Sequence, residues 1–240
     1  MFRVRLCDKG EVIASHDRPE DRVHLVHEGI VGLRAVRGAS AVLLALRGPG
    51  TGFGEGALMD GPYAPRGYSA VALTPTRVTE LLVDDLDPAT QDALLPLACR
   101  LLARHARDQE GRITYLRSTS VEQRVAGCLC ELSELVGAPR AGNLRVVPRD
   151  TLTQPQMAQY VGCAREEVNR SIARMVARGW VEVSREAITL VDLPALESYR
   201  GDYPLVRTST RMGARDQHLA AAGSFLTVAV QQPVADLRTA

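Results

Sequence analysis

No apolar run in the 240 residues approaches the length a bilayer-spanning helix needs. Charges also interrupt Met1 to Gly10, where a signal peptide would carry its apolar stretch. A cytoplasmic chain with no membrane partner is expected. Cysteine is scarce: Cys7, Cys99, Cys128, Cys130 and Cys163 are odd in number and scattered. They form neither a CxxC pair nor a group with histidines at zinc spacing. This argues against a disulfide framework, an iron–sulfur cluster and a metal site, and leaves small, mostly buried thiols. His16, His24, His27 and His105 stand in no recognisable haem-ligand context. No nucleophile–base–acid set, zinc motif or Walker loop is visible, so no catalytic residue is assigned and an enzyme is not expected.

Net charge is also small, +1 at pH 7, and gives the whole chain no electrostatic pull on nucleic acid. Its distribution is uneven. Residues 1–90 hold 10 Lys/Arg against 12 Asp/Glu, whereas residues 140–190 hold 8 against 5. A polyanion-binding surface therefore belongs to the C-terminal part. Apolar residues at 45% and charged residues at 24% are those of ordinary folded domains, and the length suits two modest domains with a connecting element.

From Lys9 to Leu86, short apolar runs (Val23–Val26, Ile30–Val36, Ala41–Leu46, Val78–Val83) alternate with glycine and proline, the pattern of a β-rich domain. Asp87-Pro88 then signals a helix start, and Leu94, Leu95, Ala98, Leu101, Leu102, Ile113 and Leu116 recur at helical spacing. Leu95, Leu102, Gln109 and Leu116 are seven apart, which keeps one face turned to a partner helix. A dimer seam is one reading of that stripe; packing on the chain's own β-domain is the other. Ser120-Val121-Glu122-Gln123 is a capping-box pattern that starts a new helix, running to about Val136, and the break before it is a natural hinge. A short strand is expected at Leu144–Val147.

Thr153-Gln154-Pro155-Gln156 is a second capping box with proline in the first turn. Met157, Tyr160 and Val161 give this helix a buried face, Ala158 is small enough for a close crossing, and Gly162 can take the positive φ of a tight turn. The next helix, Ala164 to Arg178, is expected to bury Val168, Ile172, Met175 and Val176 and to stop at Gly179. Its other face carries Arg165, Glu166, Arg170 and Arg174. Trp180–Val183 and Ala187–Val191 read as a hairpin, the wing of a winged helix-turn-helix. An arginine fork can donate two hydrogen bonds to guanine and a carboxylate can accept from cytosine, so this face can read bases in double-stranded DNA. Ordinary salt-bridged surface residues are the alternative for the helix alone; the ordered constellation over about 40 residues favours DNA.

The segment from Leu152 to Arg170, with its wording Val-Gly-Cys-x-Arg-Glu-x-Val-x-Arg, closely resembles the helix-turn-helix of the cyclic-AMP receptor protein and fumarate-nitrate reductase regulator (CRP/FNR) family. The resemblance implies that Arg165, Glu166 and Arg170 read a TGTGA-like half-site, with Thr153, Glu167 and Arg174 in the same interface. Ala164 and Glu167 stand where the family usually has serine and threonine. Upstream, the resemblance spans roughly Lys9 to Leu190 and lacks most of the family's N-terminal helix and first strand. Gly52-Phe-Gly-Glu-Gly-Ala-Leu58 followed by Arg66 looks like the family's phosphate-binding cassette, implying a ligand held by Gly54, Glu55, Gly56, Arg66 and Gly67. Arg66-Gly67-Tyr68 replaces the family's Arg-Ser/Thr-Ala, and the two base-contacting positions of the long helix fall on Gln109 and Glu110.

The implied architecture is α+β: an N-terminal β jelly roll of the cyclic-nucleotide-binding type (1–87), a dimerisation helix (88–119) and a C-terminal winged helix-turn-helix (120–197). A C-terminal extension (198–240) with the run Phe225-Leu-Thr-Val-Ala-Val has no assigned role. The implied partners are double-stranded DNA, a second copy through Leu95, Leu102 and Leu116, and RNA polymerase. The cofactor is unknown, a cyclic nucleotide such as cyclic AMP being the class the family suggests. A ligand-independent regulator and a signalling module acting on a protein partner remain as alternatives.

Overall fold

The computed structural model describes residues 2–19, 21–37, 40–59, 67–136, 138–139 and 144–203. Among the described residues, eight strands lead the chain: β1 (Phe2–Cys7), β2 (Val12–Ala14), β3 (Arg22–Glu28), β4 (Val31–Arg37), β5 (Ser40–Arg47), β6 (Gly52–Phe53), β7 (Ser69–Ala72) and β8 (Thr76–Leu82). They form two antiparallel sheets, ordered β1-β8-β3-β6 and β2-β7-β4-β5. The apolar runs read from the sequence fall in β3, β4, β5 and β8. Because strand side chains alternate between faces, each sheet turns one set inward. Val26 and Val78 from one sheet, and Val31, Leu33 and Ala45 from the other, meet in the β-domain core with Phe53 of β6. Strand β1 escapes a search for apolar runs because Arg3 and Arg5 alternate with Phe2, Val4 and Leu6.

Helix α1 (Pro88–Ser118) follows, 31 residues long. Asp87 caps it by accepting from the Thr90 backbone N–H at 2.9 Å, and Pro88 occupies the first turn, where a missing donor costs little. The sequence boundary at Ser118–Ser120 is observed: α2 (Val121–Val136) starts from a reciprocal Ser120–Gln123 cap, with bonds of 3.0 and 3.3 Å. Beyond α2, strand β9 (Ala138–Pro139) and strand β10 (Arg145–Pro148) precede α3 (Gln154–Val161) and α4 (Arg165–Ala177). Strands β11 (Val181–Val183) and β12 (Ala187–Leu190) make the hairpin, joined in the order β11-β12-β10-β9, and α5 (Leu193–Arg200) closes the described chain.

The helix-turn-helix forms as its sequence dictates. Thr153 and Gln156 cap α3 reciprocally, and Gly162 at φ +68 makes the turn that a side chain would strain. Met157, Tyr160 and Val161 of α3 pack against Val168, Ile172 and Met175 of α4. One expectation fails: Val176 is 43% exposed. Val168, Ser171, Ile172 and Met175 already fill the inward arc of α4, and Val176 lies beyond its edge. A single core joins the two halves, since Ile30, Leu43, Leu46 and Leu73 of the β-domain pack with α2 and the helix-turn-helix. Close approach is possible because Gly48 has no side chain: a Cβ there would lie 2.4 Å from Leu135 Cδ2. Across the surface, Lys9 Nζ pairs with Asp150 Oδ2 at 2.9 Å.

Candidate nucleic-acid interface and ligand cassette

At 100° per residue, Arg165, Glu166 and Arg170 lie within an arc of about 140° on α4. All three are exposed, and the buried residues occupy the opposite side. The hydrophobic side of one amphipathic helix therefore fixes which side chains face outward. Arg165 Nε reaches Gln154 Oε1 at the start of α3 (3.4 Å), and Arg170 pairs with Glu167 one turn back. Thr153 is engaged as the α3 cap. Arg174 Nε is bonded to Glu122 Oε2 at 2.6 Å, and Arg178 pairs with the other oxygen of that carboxylate. Glu122 thus ties the C-terminal end of α4 to the first turn of α2, a tether the sequence reading missed because Glu122 registered there only as part of a capping box.

Beside Arg165 opens a groove of about 300 Å³ between the start of α3 and the hairpin, lined by Arg149, Thr153, Met157, Ile172 and Val183 among others. Arg149 Nη1 donates to the Ser184 carbonyl at 3.1 Å and so holds the hairpin turn. Two guanidinium groups flank this groove, one from the strand side and one from α4. No pattern at Arg149 marks it in the sequence.

The cassette is a 3₁₀ turn, Glu55–Leu58, entered through Gly54 in the left-handed region at φ 85. Gly54, Glu55 and Gly56 are brought together there. Arg66 lies outside the described residues, and Gly67 is exposed. The chain's own side chains hold two of the cassette groups: the Gly54 N–H donates to the Tyr68 hydroxyl at 3.1 Å, and Glu55 Oε1 lies 2.6 Å from His105 Nδ1 of α1. Burial opposes ionisation of Glu55, but the His105 bond and charge, with the charge of Arg47, outweigh it and hold its pKa below the usual value. Arg47, 5% exposed at the end of β5, is a buried cation absent from the sequence reading. Burial lowers its pKa against the opposing influence of Glu55, Tyr68, Tyr160 and Asp108.

Among the described residues, Arg47 Nε and Glu55 Oε2 are both buried without a hydrogen-bond partner. Such groups are costly to leave unpaired, so the cassette suits a ligand carrying both an anion and a hydroxyl. Tyr68 would have to release the Gly54 N–H to a phosphate. Gln109 lies one turn beyond His105, on the same side of α1, whereas Glu110 is exposed.

Comparison with known proteins agrees with this geometry. Residues 4–92 match the cyclic nucleotide-binding domain family, and residues 123–199 match the Crp-like helix-turn-helix domain family. Among curated proteins, the chain is 32% identical over 188 residues to a CRP-like cAMP-activated global transcriptional regulator of Mycobacterium tuberculosis, covering 77% of this chain and 82% of that protein. A solved CRP/FNR-family transcriptional regulator from Thermus thermophilus is similar, with a TM-score of 0.69 and 30% identity over 84% of this chain and 100% of that one. A second CRP-family regulator from the same species shares the fold at a TM-score of 0.70 and 24% identity, over 82% of this chain and 97% of the other. The chain belongs to the CRP/FNR family of transcription regulators, with a cyclic-nucleotide-binding-type β-domain, a long helix and a Crp-like helix-turn-helix. Its activity is DNA-binding regulation of transcription, not catalysis. Among the described residues, no helix is long and apolar enough to cross a membrane.

Proposed function

We propose that the chain acts as a homodimer that reads a TGTGA-like palindrome, with Arg165, Glu166 and Arg170 on base edges and Thr153, Glu167 and Arg174 at the margin of the interface. The observation that carries this reading is the exposed Arg165–Glu166–Arg170 face of α4, opposite a fully packed hydrophobic side. A palindromic site calls for a two-fold protein. Leu95, Leu102 and Leu116 recur along α1 and are only partly buried within one chain, which supports a seam there. The domains are taken as residues 1–87, 88–119, 120–197 and 198–240, and RNA polymerase is the partner on promoter DNA.

The test compares wild type and Arg165→Ala on a TGTGA palindrome and on a scrambled duplex of equal length, over several salt concentrations. Loss of a bidentate base contact should cost about 1–3 kcal/mol on the palindrome and leave the scrambled duplex nearly unchanged. Equal loss on both duplexes reassigns Arg165 to phosphate. No preference by the wild type removes the half-site.

The β-domain reading is an anionic small ligand at Gly54, Glu55, Gly56, Arg66 and Gly67, with Gln109 and Glu110 nearby. Cyclic AMP is the first compound to test, since the Mycobacterium relative's name says that it is cAMP-activated. A ligand-independent regulator is the second reading, and the occupation of Gly54 by Tyr68 and of Glu55 by His105 favours it. Thermal shifts with cyclic AMP, cyclic GMP and cyclic di-GMP separate the two, because a ligand that binds the folded state raises its stability. No shift with any of them leaves the ligand-independent reading.

A further inference from the structure

Tyr203 lies three residues past the end of α5 and four past the last residue matching the helix-turn-helix family. It is nevertheless buried in the middle of the DNA-binding half. Its ring stands edge-on to Tyr115 of α1, centroids 4.8 Å apart. It also fills the space left at Gly127 of α2, where a Cβ would lie 1.9 Å from Tyr203 Cδ2. The hydroxyl donates to Glu131 Oε2 at 2.7 Å, and the same oxygen accepts from the Tyr160 hydroxyl of α3 at 2.9 Å. Glu131 is 1% exposed, so it depends on such donors. Burial and the Glu131 charge push both phenol pKa values up, which keeps both groups protonated as donors.

Arg112 of α1 completes the assembly. Its guanidinium stacks 3.5 Å from the Tyr160 ring centroid and donates to the Tyr160 carbonyl. Burial opposes its charge, but Tyr160, Tyr203 and Glu131 more than compensate and raise its pKa. One carboxylate thus gathers α1, α2, α3 and the segment after α5 around Tyr160, a residue of the buried face of the first helix of the helix-turn-helix.

We propose that Tyr203 is a positioning residue for DNA binding: through Glu131 it fixes α3, and with it the recognition helix α4, at a set orientation to the long helix α1. The DNA-binding unit then extends at least to Tyr203. In a dimer joined along α1, that orientation sets the distance between the two recognition helices, so Tyr203 governs which half-site spacing is accepted. This consequence rests on the dimeric reading above.

The experiment uses the full chain, wild type and Tyr203→Phe, which keeps the ring and loses only the hydroxyl. Two chains ending at Tyr203 and at Arg200 accompany them. Binding is measured on duplexes carrying two copies of the half-site that wild type selects from a random pool, with the spacing varied one base pair at a time, and on a single half-site. Tyr203→Phe should weaken the best-spaced duplex about tenfold, the effect of one hydrogen bond to a charged group, broaden the spacing preference, and leave the single half-site within about twofold. Hydrogen exchange over Met157–Val161 should accelerate by a similar factor. The chain ending at Tyr203 should match the full chain, and the one ending at Arg200 should be at least as impaired as Tyr203→Phe. A uniform loss on every duplex, an unchanged spacing profile, or equal impairment of the two shortened chains overturns the proposal. If the wild type itself has no spacing preference, the dimeric reading falls, and hydrogen exchange then decides on Tyr203 alone: unchanged exchange in Tyr203→Phe overturns its role.

Discussion

Glu55 and Glu122 are both buried carboxylates that bring distant helices together, and they differ in how exposed their partners are. Glu55 is buried with its charge supported by His105 and Arg47. Its folded pKa is lowered, so the stability it contributes is complete above the pKa it has in the unfolded chain and is lost as pH falls through the folded value. Glu55→Gln should therefore destabilise the chain by about 1–3 kcal/mol near neutral pH. That difference should shrink as pH drops below about 4. Urea midpoints of the two proteins at several pH values check it, and a gap that persists at acid pH would mean that shape, not charge, is what Glu55 supplies. Glu122 instead holds two arginines that are themselves well exposed, Arg174 and Arg178. Screening by solvent limits such pairs, and Glu122→Gln should cost only about 0.5–1 kcal/mol. It removes the counter-charge of two arginines at the C-terminal end of the recognition helix, so affinity for scrambled DNA should rise and its salt dependence steepen by up to two phosphate contacts. Filter binding over a salt series reads this directly; an unchanged slope would place both arginines away from DNA.

Helices and turns with local causes were the legible part of this fold. Thr153, Pro155, Gln156 and Gly162 each act within a few residues of where they stand, and the cap, first turn and left-handed glycine all form as their chemistry requires. Thr153→Ala should remove the reciprocal cap and cost about 0.5–2 kcal/mol of stability by thermal or urea unfolding. A change within a few tenths would show that packing against α4 alone holds α3. The cassette turn was legible for the same reason, as a local run of glycines around Glu55. What stayed hidden depends on chain segments far apart in sequence. Nothing near residue 47 announces a buried arginine at the end of an apolar strand, because its partners by charge are Glu55, Tyr68, Asp108 and Tyr160. Strand β1 was missed because apolar runs were the guide there, whereas its signal is the alternation of Arg3 and Arg5 with Phe2, Val4 and Leu6, a period of two that suits a strand paired with β8. Val176 was misplaced because a period of 3.6 leaves the residue at the edge of a stripe undecided until the partner's width is known.

In a single chain, the long helix has few wholly buried side chains for its length. Among its described residues only Ala98 and Tyr115 are apolar and buried, while Leu95, Leu102 and Leu116 are partly open and Ile113 is 56% exposed. A helix within a protein draws most of its stability from a packed apolar face rather than from propensity, and α1 is 31 residues long. Here the β-domain covers α1 near His105, and the helix-turn-helix meets it near Arg112 and Tyr115. In the dimeric reading proposed above the heptad leucines would face a second copy, which would also place two recognition helices on opposite half-sites. Leu102→Glu sets a charge in the middle of that seam, where two copies would face each other without a partner. Sedimentation at micromolar concentration should show wild type as a dimer and Leu102→Glu shifted to monomer, with circular dichroism unchanged in the β-domain and winged helix. Affinity for a palindrome should fall at least a hundredfold, because two linked half-sites become two independent weak ones, whereas affinity for a single half-site should be nearly preserved. A wild-type monomer with and without DNA, or a dimeric Leu102→Glu, would move the seam elsewhere and leave the leucine stripe to packing within the chain.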